Sequence, residues 1–182
     1  MKKTKTIIDK IEFNIIIDRL SHQLVENHGD FKNSVLIGIQ PRGVHLCSRI
    51  YHNLSSFINS KNINIGDLDI TFYRDDFRMR KDPIIPQTID INFSVQGKNV
   101  VLIDDVLYTG RSVRSAMDAL LAFGRPKRIE LMTFIDRRYS RHLPIQPNYI
   151  GKRVDTIASE KVLVEWKEIN GRDQVKLLDS EK

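Results

Sequence analysis

Cysteine is almost absent from this chain of 182 residues, in which Cys47 is the only one. A single cysteine cannot form an internal disulfide, so the sequence excludes a disulfide-stapled scaffold and favours a reducing compartment. No apolar run approaches the roughly 20 residues that cross a bilayer. The basic start, MKKTKTIIDKIEFNIIIDRL, contains acidic residues that interrupt the apolar core a signal peptide needs. We therefore expect a cytoplasmic protein with no membrane partner.

Internal repeats and low-complexity tracts are also missing, and the chain is 41% hydrophobic and 29% charged. This balance is typical of a folded globular protein and unlike that of a disordered one. A chain of this length buries roughly 70% of the surface that it exposes when unfolded, so it needs no metal or disulfide staple. We expect one domain over residues 1–182.

The net charge of +6 is unevenly distributed. Residues 123–153 hold eight Lys or Arg against two acidic residues, which accounts for the whole surplus. Clustered positive charge suits phosphate-bearing partners, either nucleic acid or small phosphorylated molecules. A basic surface that only faces solvent explains the composition equally well.

Alternating helix and strand signals predict an α/β fold. The spacing of apolar residues predicts a helix at residues 12–28, and the segments that follow a strand and a turn predict two more, at residues 44–57 and 112–123. Short apolar or alternating runs predict four strands, at residues 34–39, 68–73, 99–103 and 129–135. Strand–helix–strand units of this kind indicate a mostly parallel sheet flanked by helices on both faces. Asn170-Gly171, between residues 161–168 and 174–178, is typical of a hairpin turn.

Residues 74–88 lack apolar periodicity and contain Pro83 and Pro86. This composition predicts a long exposed loop. Loops of such length within compact domains usually serve as lids or binding loops.

The segment VVLIDDVLYTGRS, residues 100–112, carries the strongest chemical signal. Ligands bind open α/β sheets at the C-terminal ends of their strands, where Asp104 and Asp105 are expected. Thr109, Gly110 and Ser112 fall at a predicted helix N-terminus, whose N–H groups suit a phosphate. The carboxylates can accept hydrogen bonds from vicinal sugar hydroxyls and help to hold a hydrated magnesium ion.

Two other interpretations account for parts of this segment. An Asp-Asp pair after a strand also occurs in receiver domains, where it binds magnesium, and Thr-Gly-Arg-Ser also forms plain helix caps. Neither explains the carboxylates, the phosphate cradle and the strand–helix context together. We therefore favour a phosphosugar site.

These thirteen residues resemble the phosphoribosyl-diphosphate (PRPP) motif of type I phosphoribosyltransferases. The closest version is that of the pyrimidine-operon attenuator/uracil phosphoribosyltransferase (PyrR) family. Further matching segments lie along nearly the whole chain, at residues 69–76, 114–120, 124–126, 136–137, 143–145 and 149–152. The resemblance implies the type I phosphoribosyltransferase fold, with a small hood from about residues 137–160 and a flexible β-hairpin loop at about 74–88.

The resemblance also implies a reaction in which uracil and PRPP give UMP and pyrophosphate, with Mg²⁺ held mainly through PRPP and not directly by the protein. The implied catalytic residues are Asp104, Asp105, Arg42 and Arg74. The implied substrate-binding residues are Pro41, Arg42, Gly43, Arg80, Asp104, Asp105, Val106, Leu107, Tyr108, Thr109, Gly110, Arg111, Ser112, Arg137 and Val154.

Three groups of these residues have distinct implied roles. Arg42 and Gly43 match the family's pyrophosphate loop, although Pro41 stands where many members have threonine or another residue. Arg74 and Arg80 belong to the loop that closes over PRPP. Arg137 and Val154 match the hood that reads uracil, largely through backbone groups.

Members of the family also bind a stem-loop of pyrimidine-operon mRNA, promoted by uridine nucleotides such as UMP and UTP. The matching basic-face positions are Arg19, His22, Arg141 and Lys152. Asp18 and Gln146 depart from that pattern, since family regulators tend to have a threonine and a basic residue there. An acid on a phosphate-binding face repels RNA, and a missing cation removes counterion release.

Two alternatives to the uracil enzyme stay open at this point. One is an RNA-binding transcriptional regulator that senses UMP or UTP with little or no catalysis. The other is a type I transferase that acts on a purine base. In each case the resemblance implies a homodimer or a larger homo-oligomer.

Overall fold

The computed structural model describes residues 4–59, 61, 63–74, 89–157 and 159–179. Its strands are β1 (Thr4–Ile8), β2 (Ser34–Ile39), β3 (Asn64–Leu68), β4 (Asn99–Leu107), β5 (Arg128–Arg138), β6 (Tyr149–Asp155), β7 (Glu160–Glu165) and β8 (Gln174–Asp179). Its α-helices are α1 (Lys10–His28), α2 (Gly43–Phe57), α3 (Arg111–Leu120) and α4 (Lys167–Asn170). Short 3₁₀ helices cover Thr71–Tyr73 and Leu121–Phe123.

Five parallel strands form the main sheet, in the order β3-β2-β4-β5-β6. Every residue of β2 is buried, and β4 is apolar from Val100 to Ile103. Such continuous apolar strands form where both faces of a parallel sheet are covered. The predicted α/β sheet is confirmed.

Helices cover both faces of this sheet. Leu36, Val101 and Ile103 pack into a core with α1 and α2, whereas Val100 and Leu102 pack into a second core with α3. The alternation follows from successive strand residues pointing to opposite faces. The predicted helices on both faces are therefore confirmed.

A smaller antiparallel sheet has the order β1-β8-β7. The predicted turn at Asn170-Gly171 joins β7 to β8, with the single turn of α4 included in the connection. Trp166, fully buried after β7, lies edge-on to Phe13 of α1 with ring centroids 5.1 Å apart. The small sheet is thereby fixed to the core under α1.

The predicted strand at residues 68–73 is wrong. The strand there is β3, which ends at Leu68. The Asp69 carboxylate then accepts the backbone N–H of Thr71 at 2.8 Å and its hydroxyl at 2.5 Å. This local side-chain capture competes with strand pairing and begins a 3₁₀ turn instead.

Three further differences concern the limits of elements. β4 does not end at Ile103 but continues through the carboxylates to Leu107, and β1 and β6 were not predicted. β6 lies within the range expected to form the hood, yet it pairs with β5 in the main sheet. The predicted loop at 74–88 lies outside the described residues except for Arg74.

No described helix is both long and apolar enough to cross a membrane.

Candidate active site

The two predicted carboxylates lie near the C-terminal end of β4, at the centre of the main sheet. Asp105 is only 7% exposed, and Asp104 is half-buried. The Asp104 Oδ1 accepts the backbone N–H of Asp105 at 2.9 Å. Both acids are therefore fixed on the central strand, at the edge of the sheet where α/β proteins bind ligands.

The surroundings of these acids oppose their ionisation. Loss of hydration raises the pKa of Asp104 well above its ordinary value, and repulsion from Asp105 adds to the rise. The charges of Arg74 and Arg42 act on Asp104 in the opposite direction. Burial raises the pKa of Asp105 to about 6, against the lowering effect of Arg42. Hydrogen-bond donors from a ligand, or a nearby cation, would stabilise the charged pair.

Arg42 joins the turn after β2 to this pair. Its Nε lies 3.3 Å from Asp105 Oδ2, and its Nη2 donates to the Val164 carbonyl of β7 at 2.9 Å. Gly43 follows at the start of α2, where a Cβ would overlap the Ile103 carbonyl oxygen. The glycine therefore lets the turn contact the β4 backbone directly. The peptide before Pro41 is cis.

The remainder of the motif forms the expected turn into a helix. β4 ends with half-buried Val106 and buried Leu107, and α3 begins at Arg111, one residue before the predicted start at Ser112. Gly110 has φ of +90°, a conformation that favours glycine, and a Cβ there would lie 3.2 Å from Ile145 Cδ1. The N-terminus of α3 thus adjoins the carboxylates, with Thr109 in the turn between them.

The two residues that match the family's uracil-reading hood lie side by side, because Arg137 of β5 pairs with Val154 of β6. The Arg137 side chain is 5% exposed and donates to Thr156 Oγ1 and to the Glu160 carbonyl, each at 2.9 Å. Its guanidinium lies 4.0 Å from the ring centroid of Tyr108. The structure thus connects the end of the β4 motif to the neighbouring strand.

The four residues assigned to RNA do not form one cluster. Arg19 and Lys152 line a groove of about 490 Å³ together with Gln23, Asn148, Ile150, Gly151 and Arg153. Lys152 Nζ also lies 2.6 Å from Glu12 Oε1. His22 stacks on Phe57 at 4.5 Å, and Arg141 forms an ion pair with Asp136. Neither His22 nor Arg141 lines the groove.

Two residues that depart from the family pattern have separate surroundings. Asp18 accepts a hydrogen bond from Asn53 Nδ2 at 2.7 Å. Gln146 lines another groove, of about 510 Å³, together with Arg141. Arg80 lies outside the described residues.

Several partners of the site were not predicted from the sequence. The Val164 carbonyl and the Thr156 hydroxyl come from segments distant along the chain from the residues they hold, whereas the Asp136 carboxylate pairs with Arg141 only five residues away. A backbone carbonyl leaves no residue-type signal, and Thr156 has no motif around it. Asp136 belongs to a dipeptide that matches the family, and the dipeptide gives no sign of the ion pair with Arg141.

Comparison with known proteins agrees with this geometry. Residues 3–169 match the family described as "Phosphoribosyl transferase domain". The "Bifunctional protein PyrR" of Haemophilus ducreyi is 42% identical over 177 residues, which cover 97% of this chain and 97% of that protein. The protein of the same name from Streptococcus pyogenes is 41% identical over 177 residues, covering 97% and 98%.

Solved structures show the same fold at low sequence identity. A hypoxanthine phosphoribosyltransferase from Staphylococcus aureus is 19% identical with a TM-score of 0.70, covering 98% of this chain and 92% of that one. The hypoxanthine phosphoribosyltransferase of Trypanosoma cruzi is 14% identical with a TM-score of 0.70, covering 97% of each. The chain belongs to the phosphoribosyl transferase domain family and, within it, to the PyrR proteins.

Proposed function

We propose that the protein transfers the phosphoribosyl group of PRPP to uracil, giving UMP and pyrophosphate. The observation that carries this proposal is the pair Asp104 and Asp105 on β4, between the Arg42 turn and the N-terminus of α3. We propose that residues 1–182 serve this reaction as one domain, which the family match over residues 3–169 supports.

In this reaction the bond from C1′ of the sugar to pyrophosphate breaks while uracil N1 bonds to C1′ and loses its proton. The leaving pyrophosphate keeps the electron pair, so positive charge develops on the sugar. Asp104 and Asp105 accept hydrogen bonds from the vicinal ribose hydroxyls and stabilise that charge. Arg42 contacts the diphosphate, and the N-terminus of α3 binds the 5′-phosphate. Arg74 and Arg80 complete the diphosphate contacts.

The donor set of the site is compatible with magnesium brought in by PRPP. The described residues contain no group of three His, Cys, Asp or Glu that could hold a metal alone. Two carboxylates present the hard oxygen atoms that Mg²⁺ prefers, and substrate oxygens and water complete such a shell. When bound, the ion neutralises charge on the leaving pyrophosphate.

We assign the reading of the base to the backbone at Arg137 and Val154, which lie side by side on β5 and β6. Peptide N–H and C=O groups there suit the edges of uracil. A base with a different pattern of donors and acceptors would leave such groups unpaired, which costs about 1–3 kcal/mol for each group.

A panel of bases tests this function directly. The purified chain is incubated with PRPP and Mg²⁺ and with uracil, cytosine, orotate or hypoxanthine, and nucleotide formation is followed. We expect turnover of uracil only. Turnover of hypoxanthine would favour the purine alternative. Tight UMP binding without turnover of any base would favour the regulator with little or no catalysis.

We also propose that the chain binds a stem-loop of pyrimidine-operon mRNA in a manner promoted by UMP or UTP. The groove that contains Arg19, Lys152 and Arg153 supports this second function, and so does the printed name "Bifunctional" of the relatives. Cations that face phosphates release counterions, so binding should weaken steeply with salt.

An RNA-binding assay separates this second function from the first. Arg19→Gln should weaken RNA binding while UMP formation is unchanged. The slope of log binding constant against log salt concentration should become shallower by about one, the value of one lost phosphate contact. Arg125→Gln, which removes an exposed cation in the loop before β5 that does not line this groove, is the matched control. Equal RNA affinity in wild type and Arg19→Gln would remove this groove from the RNA surface.

We propose a homodimer or a larger homo-oligomer, and a cytoplasmic location. Exposed apolar side chains on the two 3₁₀ helices that contact α3, Phe72 and Leu121, support the first proposal. The unpaired and buried Cys47 fits the second. Sedimentation velocity would give the oligomeric state.

A further inference from the structure

An acid of this chain already holds one cation of the groove that contains Arg19, Lys152 and Arg153, which we call the basic groove. The Lys152 Nζ lies 2.6 Å from Glu12 Oε1 of α1, and it also donates to the Ile7 carbonyl of β1 at 3.0 Å. An ammonium has three N–H groups. Two of those on Lys152 therefore have partners inside the protein.

The other two cations keep more of their charge for a ligand. Arg19 Nη2 donates to two backbone carbonyls of β6, which are neutral acceptors. Arg153 Nε lies 3.7 Å from the Asp136 carboxylate, a looser contact than that of Lys152 with Glu12. Glu12 therefore offsets the charge of Lys152 more than the partners of Arg19 and Arg153 offset theirs.

The cap of α1 places Glu12 beside Lys152. Asp9 Oδ1 accepts the backbone N–H of Glu12 at 2.9 Å, which fixes the first turn of the helix. A negative charge in that turn is also favoured by the helix dipole. The side chains of Glu12 and Lys152 are 43% and 37% exposed, so an incoming phosphate can reach the ion pair.

We propose that Glu12 competes with RNA phosphates for Lys152 and thereby lowers the affinity of the basic groove for RNA. The proposal rests on the proposed RNA function, because it assigns this groove to RNA. A phosphate that binds Lys152 must replace the Glu12 carboxylate and then lies beside its negative charge. That charge keeps near the RNA a counterion that Lys152 would otherwise release.

The test measures RNA affinity at several salt concentrations for wild type, Glu12→Gln and Glu12→Ala, with a labelled stem-loop of pyrimidine-operon mRNA in the presence of UMP. Glu12→Gln keeps the size of the side chain and removes its charge. It should raise the affinity by about two- to fivefold, the scale of one surface ion pair. The slope of log binding constant against log salt concentration should become steeper by about one. Glu12→Ala should act in the same direction.

Asp118→Asn is the matched control, because it changes the net charge by the same amount. Asp118 is an exposed residue of α3, which packs on the other face of the sheet from α1, and it lies 3.8 Å from Arg114. Its loss should leave RNA affinity unchanged. A second comparison introduces Glu12→Gln into Lys152→Gln, where it should have no effect because the contested cation is already gone.

A rise in affinity that depends on Lys152 supports the proposal. Equal affinity in wild type and Glu12→Gln, or an equal rise in the Lys152→Gln background, would overturn it. If no variant binds the stem-loop, the proposed RNA function fails, and elution from heparin, a polyanion, decides whether Glu12 competes with anions for Lys152. Glu12→Gln should then elute at higher salt than Asp118→Asn, and elution of both at the same salt would contradict the competition.

Discussion

At the scale of residues, two acids of the site destabilise the fold when they are charged. Asp104 and Asp105 are held largely out of water, and burial raises the pKa of both acids. A group whose folded pKa exceeds its unfolded value favours folding below the unfolded pKa, and this contribution is lost as pH rises through the folded pKa. At neutral pH the charged pair therefore lowers the stability of the fold, as functional sites often do.

We predict that Asp104→Asn abolishes catalysis and stabilises the protein. The amide oxygen can still accept the Asp105 N–H, and the unfavourable charge is removed. Turnover should fall by roughly 100-fold or more, because charge stabilisation at the sugar is lost. The melting temperature at pH 7.5 should rise by roughly 2–4 °C for each kcal/mol gained. Asp118→Asn, on the exposed face of α3, should leave both unchanged; a lower melting temperature for Asp104→Asn would contradict the argument.

His28 forms a second cluster of titratable groups, at the opposite edge of the sheet. Its side chain is 3% exposed, with Nδ1 2.9 Å from Ser34 Oγ and Nε2 3.1 Å from both Glu130 Oε2 and Tyr149 Oη. Burial lowers the pKa of His28, although Glu130 acts in the opposite direction. The neutral ring, which donates from Nε2 and accepts at Nδ1, is the form that the fold favours.

We predict that His28 makes the fold sensitive to mild acid. Because its folded pKa is lowered, its contribution to stability is present above the unfolded value of 6.5 and is lost as pH falls through the folded pKa. The melting temperature of wild type should drop more between pH 7.5 and 5.5 than that of His28→Gln. Comparing the two proteins removes the opposite effect of Asp105, which is common to both. Parallel pH profiles would show that His28 does not titrate within the transition.

At the scale of elements, residue patterns predicted the strands, turns and helix starts that depend on neighbouring residues in the chain. β2 and the first half of β4 are continuous apolar runs, and the VVLIDDVLYTGRS segment carries its own turn and helix start. β1 and β6 are polar edge strands, which become strands only through pairing with β8 and β5. The contacts of Arg42 and Arg137 with β7, Thr156 and Glu160 likewise depend on the tertiary fold.

The site requires close contact between β4 and the turn that joins β2 to α2. A Cβ at Gly43 would lie 3.0 Å from Asp104 Cα and would overlap the Ile103 carbonyl oxygen. We predict that Gly43→Ala lowers stability by about 1–3 kcal/mol through overpacking and abolishes most turnover, as measured by chemical denaturation and by UMP formation.

Gly97→Ala is the control for that prediction. Gly97 has φ of +68° in the turn before β4, with nothing within 4 Å of an added Cβ. Its substitution should cost about 1 kcal/mol of backbone strain and leave the specific activity unchanged. If Gly43→Ala kept full activity, close contact between the turn and β4 would not be needed for catalysis.

At the scale of the whole molecule, ion pairs within the fold reduce the positive charge that is available to a ligand. Residues 123–153 hold the whole surplus of +6, yet several of their cations have acidic partners. Arg138 pairs with Asp155, Arg141 with Asp136, and Lys152 with Glu12. The charge count from the sequence therefore exceeds the charge available to RNA, and the carboxylate site is the more specific feature of the molecule.

The central claim is that the β4 carboxylates perform phosphoribosyl transfer to uracil. The most direct test is the initial rate of UMP formation from uracil, PRPP and Mg²⁺, measured for wild type and for the double variant Asp104→Asn, Asp105→Asn. We predict turnover by wild type and none by the double variant, which should remain folded. Equal rates in the two proteins would contradict the assignment of the site.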